Sequence, residues 1–335
     1  MNPRRLRPAR YAALAAAALM SVSWTLPTPA YASGTAQING SGSTWAYNAV
    51  NAWIGEVSAQ GLRVTFNPNG SAAGRQDFAN RAVDYAVSDI GFQGKDPLTG
   101  TNDTSSGRAF AYVPLVAGGT SFPYHLTVAG QLVRNLRLSG ATLAGIFTGS
   151  ITNWDAPQIT KDNNGRKFPS IPIVPLVHSE GSGTSYQFSA YLAQEFPSAW
   201  TRFAGKDKPT EYWPSDKANE VALNGSDTLM NYLASTSGQG AIGFDEYSYA
   251  IAKNIPVAKV ENKAGYFTLP TQYNVAVALT QAIINYNRSS QNYLLENLKN
   301  VYGYSDKRTY PLSSYSYGII PTASNDGTMS TPKRQ

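Results

Sequence analysis

Three stretches of the chain place glycine and hydroxyl residues immediately before a segment with helical spacing. They are Gly40-Ser41-Gly42-Ser43-Thr44-Trp45, Asn69-Gly70-Ser71-Ala72-Ala73-Gly74 and Glu180-Gly181-Ser182-Gly183-Thr184-Ser185. The first-turn N–H groups of a helix have no intrahelical acceptor, and the helix dipole adds partial positive charge there. Glycines let an anion approach the backbone, and Ser and Thr hydroxyls add donors, so each stretch has the make-up of an anion site. One such stretch alone reads as an ordinary N-cap. Three in one chain, with few other reactive groups beside them, point to binding of an oxyanion with little formal cationic charge.

A fourth element qualifies the ligand. Ser88-Asp89 ends a strand-like run, Asp84-Tyr85-Ala86-Val87-Ser88-Asp89-Ile90. An ionised carboxylate can only accept hydrogen bonds. Beside a fully ionised anion it repels, whereas beside an oxyanion that keeps a proton it accepts from the O–H. Phosphate keeps a proton near neutral pH and sulfate does not, so Asp89 would select phosphate by penalising sulfate.

The elements that must position these residues alternate. Ala46–Val57 places Val50, Trp53, Ile54 and Val57 at helical spacing. Leu62–Asn67 alternates as a strand, Arg75–Arg81 reads as a short helix, and Tyr186–Glu195 and Asp227–Ser235 read as helices. No internal repeat or low-complexity linker interrupts the pattern, and the fold class expected is α/β. Most tyrosines, Tyr247 and Tyr249 included, are expected to serve packing, and Trp45 to stack at the wall of a cleft.

Composition narrows the class further. Hydrophobic residues make up 42% of the 335 residues, enough for a core, and only 14% are charged. The net charge of +6 is concentrated at the start: Arg4, Arg5, Arg7 and Arg10 precede an apolar run from Tyr11 to about Leu26, and Ala30-x-Ala32 fits a signal-peptidase site. Residues 1–32 are therefore expected to be a signal peptide and the mature protein to be exported, periplasmic or extracellular. Without those arginines no basic cluster interleaved with aromatics remains, which argues against nucleic acid as a partner. The chain has no cysteine, hence no disulfide, no thiol chemistry and no lipidated cysteine at the cleavage site, so no stable membrane anchor is expected. With only His125 and His178 as imidazoles, no metal site and no cofactor are expected.

In this order the segments resemble the phosphate-binding component of bacterial ABC phosphate importers, from about Ile38 to Ser324. The resemblance rests on the turns already quoted, on Val83–Asp89, on Ile146-Phe147-Thr148-Gly149-Ser150-Ile151-Thr152-Asn153-Trp154, on Gly240-Ala241-Ile242-Gly243-Phe244 with Tyr247 and Tyr249, and on Tyr310-Pro311-Leu312. It implies a two-lobed, periplasmic-binding-protein-like α/β fold with a hinge and a central anion cleft. Lobe 1 would comprise residues 33–122 plus 311–335, and lobe 2 residues 123–310. It implies inorganic phosphate as ligand, an ABC permease as partner, action as a monomer and no enzymatic activity. The family's ligand contacts carry over to Thr44 and Trp45, Ser71, Asp89 as proton acceptor, and Ser182, Gly183 and Thr184 as donors.

Two features depart from the family. An arginine usually stands where this chain has His178, and an Asp where it has Glu180. His is the weaker cation and titrates near neutrality, so Arg75, just after the second turn, is the candidate replacement. The family also continues with further helices after the stretch matching Tyr310–Pro321. Here the remaining segment to Gln335 has no apolar face, so either the chain continues beyond it or lobe 1 is built differently.

Two other classes compete. One is a secreted binder of a different oxyanion, or a scaffold whose site has weakened. The other is a phosphate-ester hydrolase, which would need a nucleophile with its base or a metal cluster. Gly181-Ser182-Gly183 does not complete Gly-x-Ser-x-Gly, and no ligand cluster is visible in the sequence.

Overall fold

The computed structural model describes residues 36–96, 99–214 and 219–334, and the expected signal peptide lies outside the described residues. The alternating pattern resolves into two principal sheets with helices packed on them. Parallel strands β1 (Gln37–Gly42), β2 (Arg63–Asn67) and β3 (Tyr85–Ser88) are connected by helices α1 (Tyr47–Ala59) and α2 (Ser71–Ala79). The long strand β4 (Phe110–Ser121) follows, then β5 (Val174–His178), helix α3 (Gly183–Glu195), β6 (Val221–Leu223), helix α4 (Ser226–Ala234), β7 (Ala241–Gly243), β8 (Asp245–Glu246) and β9 (Ser313–Pro321).

The larger sheet runs β8-β4-β9-β3-β1-β2, and the smaller runs β6-β5-β7 with both pairings parallel. β9 is antiparallel to both β3 and β4, and its register slips between Ser316 and Tyr317. The chain leaves the larger sheet after β4, where Tyr124 bridges to Ile242, and returns to it across Gly243-Phe244-Asp245 from β7 to β8 and again through Tyr310-Pro311-Leu312 into β9.

Each sheet carries its own apolar packing. Phe78, Ala86, Tyr112, Tyr317 and Ile319 fill one face of the larger sheet, and Trp45, Ala46, Val50 and Val87 fill the space under α1. A larger cluster, including Trp154, Phe188, Trp200, Trp213 and Phe244, packs near the smaller sheet. The helix expected from Arg75 starts four residues earlier, at Ser71, so the second glycine–hydroxyl turn is itself the helix N-terminus. Its position depends on glycine at two points: a Cβ on Gly74 would fall 2.3 Å from Gly42 Cα, so α2 rests backbone to backbone on the end of β1.

The segment after β9 packs through charge rather than through an apolar face. Arg108, fully buried, donates to Asp326 Oδ2 at 2.8 Å and Oδ1 at 3.1 Å, and to the carbonyls of Phe78 and Val83 at 2.8 and 2.9 Å. Its guanidinium stacks over the Phe78 ring at 3.9 Å. Lys333 Nζ reaches both carboxylate oxygens of Asp84 at 2.6 and 2.7 Å. This tail needed no apolar periodicity, only buried partners, which is why hydropathy gave no sign of it.

Breaking a buried ion pair on one side leaves an uncompensated charge, a cost of about 3–5 kcal/mol. Arg108→Met should therefore lower stability by roughly that amount, and Lys333→Ala, which leaves the buried Asp84 carboxylate without its cation, should destabilise less because Lys333 is itself partly exposed and water can enter in its place. Chemical denaturation of both variants checks the contrast.

Candidate functional site

β3 delivers Asp89 to the point where the N-termini of α2 and α3 meet. The residue is 3% exposed, and its carboxylate accepts three hydroxyls: Ser43 to Oδ1 at 2.7 Å, Ser71 to Oδ2 at 3.0 Å, and Ser316 of β9 to Oδ1. Ser43 and Ser71 also accept, from the N–H groups of Ala46 at 3.1 Å and of Asp89 itself at 3.2 Å. A hydroxyl can accept and donate at once, so the first two turns and the acid are tied into one network. Burial pushes the Asp89 carboxyl above the usual range, and the hydroxyls of Ser316, Ser43 and Ser71, with the charge of Arg75, partly offset this.

The third turn closes against the same point. Ala72 N–H, in the first turn of α2, donates to Gly181 O at 3.1 Å. A Cβ at Gly183 would lie 2.4 Å from Asp89 Oδ2 and 2.8 Å from Ser71 Oγ, so only glycine admits this approach. Ser182 caps α3 by accepting from the N–H groups of Thr184 and Ser185 at 3.2 and 3.4 Å. Its own O–H remains a potential donor. Thr184 is 1% exposed, and Ser185 Oγ, buried in the same turn, has no partner among the described residues. Gln187, one turn further along α3, donates to Asp89 O at 2.9 Å.

Thr44 sits on another rim. Its carbonyl accepts from Tyr249 OH at 2.6 Å, and its Oγ1 lies 3.2 Å from Ser226 Oγ. Ser226 opens α4 and donates to Asp245 Oδ1 at 2.9 Å. A fourth glycine–hydroxyl turn, Asn224-Gly225-Ser226, thus faces the first. It carries the same sequence signal as the other three and was not singled out.

Trp45 departs from expectation. Its indole is buried with Val50 and Val87 beneath α1, with Gly118 directly below the ring, so it does not stack on a cleft wall. Only its backbone remains near the first turn. Arg75 is also accounted for differently. Its guanidinium is fully buried and held by Asp103 at 2.8 Å, Glu211 at 2.6 Å and Ser88 Oγ at 2.8 Å. Two carboxylates neutralise it, and it acts on Asp89 only through space.

His178 ends β5 with both ring nitrogens engaged, Nδ1 to Glu180 Oε1 at 2.9 Å and Nε2 near Phe244 O at 3.3 Å. Burial alone would lower its pKa. The hydrogen bond and charge of Glu180, with the charge of Asp245, outweigh it and raise the imidazole to about 9. Burial pushes the Asp245 carboxyl up to about 6, against the opposing pull of His178. Burial also opposes ionisation of Glu180, but His178 more than offsets it and holds that carboxyl below its usual range. At neutral pH the position is therefore an imidazolium paired within the protein.

Residues 29–330 match the PBP superfamily domain. The chain is 29% identical over 307 residues to the phosphate-binding protein PstS 2 of Mycobacterium tuberculosis, covering 90% of this chain and 78% of that protein. Among solved structures it is similar to a high-affinity periplasmic phosphate-binding protein bound with phosphate, at 22% identity and a TM-score of 0.65, covering 89% of this chain and 84% of that one. A phosphate-binding protein from Stenotrophomonas maltophilia aligns at 19% identity and a TM-score of 0.58, covering 85% and 79%. These structures support the fold: α/β and two-lobed.

Two outcomes follow from the geometry. Gly183→Ala should force the α3 turn away from Asp89 and Ser71 and abolish tight anion binding while leaving the fold intact, which calorimetry and circular dichroism together would show. The raised pKa of His178 stabilises the fold fully below its ordinary 6.5, and this contribution is lost as pH rises through about 9. In phosphate-free buffer the melting temperature should fall over that window, and His178→Gln should flatten the fall.

Proposed function

Because the chain belongs to the PBP superfamily, we propose that it is an extracytoplasmic protein that captures inorganic phosphate between two lobes and delivers it to an ABC importer. The lobes are residues 33–122 plus 311–335 and residues 123–310, joined where the chain passes between the sheets. The site comprises Thr44, the Trp45 backbone, Ser71, Asp89, Ser182, Gly183 and Thr184. His178, Arg75 and Glu180 support it: His178 and Glu180 as a mutually neutralising pair behind the third turn, Arg75 as a buried charge behind Asp89. The relatives named above as phosphate-binding proteins support the ligand.

One observation carries the reading. A buried acid accepts hydroxyl donors at the meeting point of two helix N-termini, with a glycine backbone pressed against it. Such a site suits an anion that brings its own proton. Phosphate would donate that proton to Asp89 and accept from the turn hydroxyls and N–H groups. Greater affinity for the converged arrangement would draw the lobes together. Capture without bond-making fits the side chains: both His178 nitrogens are engaged by Glu180 and Phe244, and among the described residues no hydroxyl of the site donates to an imidazole. The protein acts as a monomer and needs no cofactor.

Asp89→Asn keeps an acceptor oxygen but removes the charge and adds donors. It should weaken phosphate binding by about 10- to 100-fold, the worth of a charged hydrogen bond, and narrow the preference over sulfate. Calorimetric titration with both anions decides: equal phosphate affinity and undiminished selectivity in the variant would remove Asp89 from the mechanism.

A further inference from the structure

Beside Asp89, and lined by it and by Gln187, lies a cavity of about 980 Å³. The segment Ile90–Gln93 after β3, the exposed side of α3, and the hairpin in which Ile283–Ile284 pairs with Glu296–Asn297 enclose it, with Tyr302 and Tyr317 as further wall residues. It falls within the size range of small-molecule sites, and phosphate alone would occupy little of it.

Its lining has a consistent chemistry. Three glutamines are fixed through their NH2 groups: Gln93 to Gly91 O at 2.7 Å, Gln187 to Asp89 O at 2.9 Å and Gln194 to Lys299 O at 2.8 Å. Among the described residues their carbonyl oxygens have no donor, so each presents an oriented acceptor. The phenol oxygens of Tyr186 and Tyr302 likewise have no partner among the described residues, although Tyr302 is only 7% exposed. The Tyr302 ring is locked edge-on to Tyr191, 5.6 Å between centroids. The charged groups of the lining are few: Glu296 accepts from Tyr317 OH, the Asp89 carboxylate is turned toward its serines, and the exposed Lys299 also lines the space.

We propose that this cavity binds a neutral saccharide. Its closely spaced hydroxyls would donate to the glutamine carbonyls and exchange hydrogen bonds with the two free phenols, while the tyrosine faces cover its C–H surfaces. Glu296 and Lys299, of opposite sign, favour no net charge on the ligand, and an apolar ligand would leave the glutamine carbonyls and the two phenols unpaired. The sugar is either free or the sugar moiety of a phosphomonoester whose phosphate reaches the turns beyond Asp89. The inference does not depend on the phosphate reading, because a free sugar needs none of the anion site.

The test titrates the full mature protein with glucose, N-acetylglucosamine, maltose and myo-inositol, and with glucose 6-phosphate, each with and without inorganic phosphate. The expected result is saccharide binding that weakens about five- to tenfold in Tyr302→Phe and in Tyr186→Phe, which remove only hydroxyls, with phosphate affinity unchanged. Glucose 6-phosphate competing with inorganic phosphate identifies the ester, and binding of the uncharged sugars alongside phosphate identifies the free sugar. Failure of every probe to bind below about 10 mM, or binding that both phenylalanine variants leave unaltered, overturns the proposal.

Discussion

The structure depends on a carboxylate held out of water by three hydroxyl groups. Burying an ionised acid is costly unless hydrogen bonds replace its hydration, and Asp89 obtains them from three separate parts of the chain: Ser43 before α1, Ser71 opening α2, and Ser316 on β9. The acid thereby joins the first turn, the second turn and the return strand to one point. The third turn reaches that point only because position 183 has no side chain. Under the proposed function, local stability and the recognition of a proton-bearing oxyanion would share the same atoms.

The cationic side of the site is organised differently from what charge counting suggests. Arg75 and His178 are both buried next to the turns, and each is matched by carboxylates, Asp103 and Glu211 for one and Glu180 for the other. Neither presents a free charge to a ligand. In the proposed function backbone dipoles and hydroxyls would bind the anion, which suits a ligand that arrives with a proton and must also leave.

The parts of this arrangement that were legible in the sequence are those encoded locally. Glycine–hydroxyl turns before helical spacing announced α1, α2 and α3, and the strand ending in Ser88-Asp89 was visible because its apolar run stops at a polar tip. Hidden were contacts set by long-range register. Ser316 has no distinguishing neighbour in sequence, and it reaches Asp89 only because β9 lies beside β3. The polar turn around Trp45 points to a place on a cleft wall, yet the space above Gly118 takes its ring into the core. The tail from Asp326 to Lys333 is secured by Arg108 and Asp84, more than two hundred residues away. A single sequence read without its relatives gives no sign of such pairings.

The central claim is that Asp89 receives a hydrogen bond from a protonated phosphate held between the α2 and α3 turns. The most direct measurement is an atomic-resolution crystal structure of the mature protein with phosphate. The account predicts a phosphate oxygen within hydrogen-bond distance of an Asp89 carboxylate oxygen, with the remaining oxygens on Thr44, Ser71 and the Ser182–Thr184 turn. Phosphate bound elsewhere, or bound at these turns with Asp89 still facing only its serines, would contradict it.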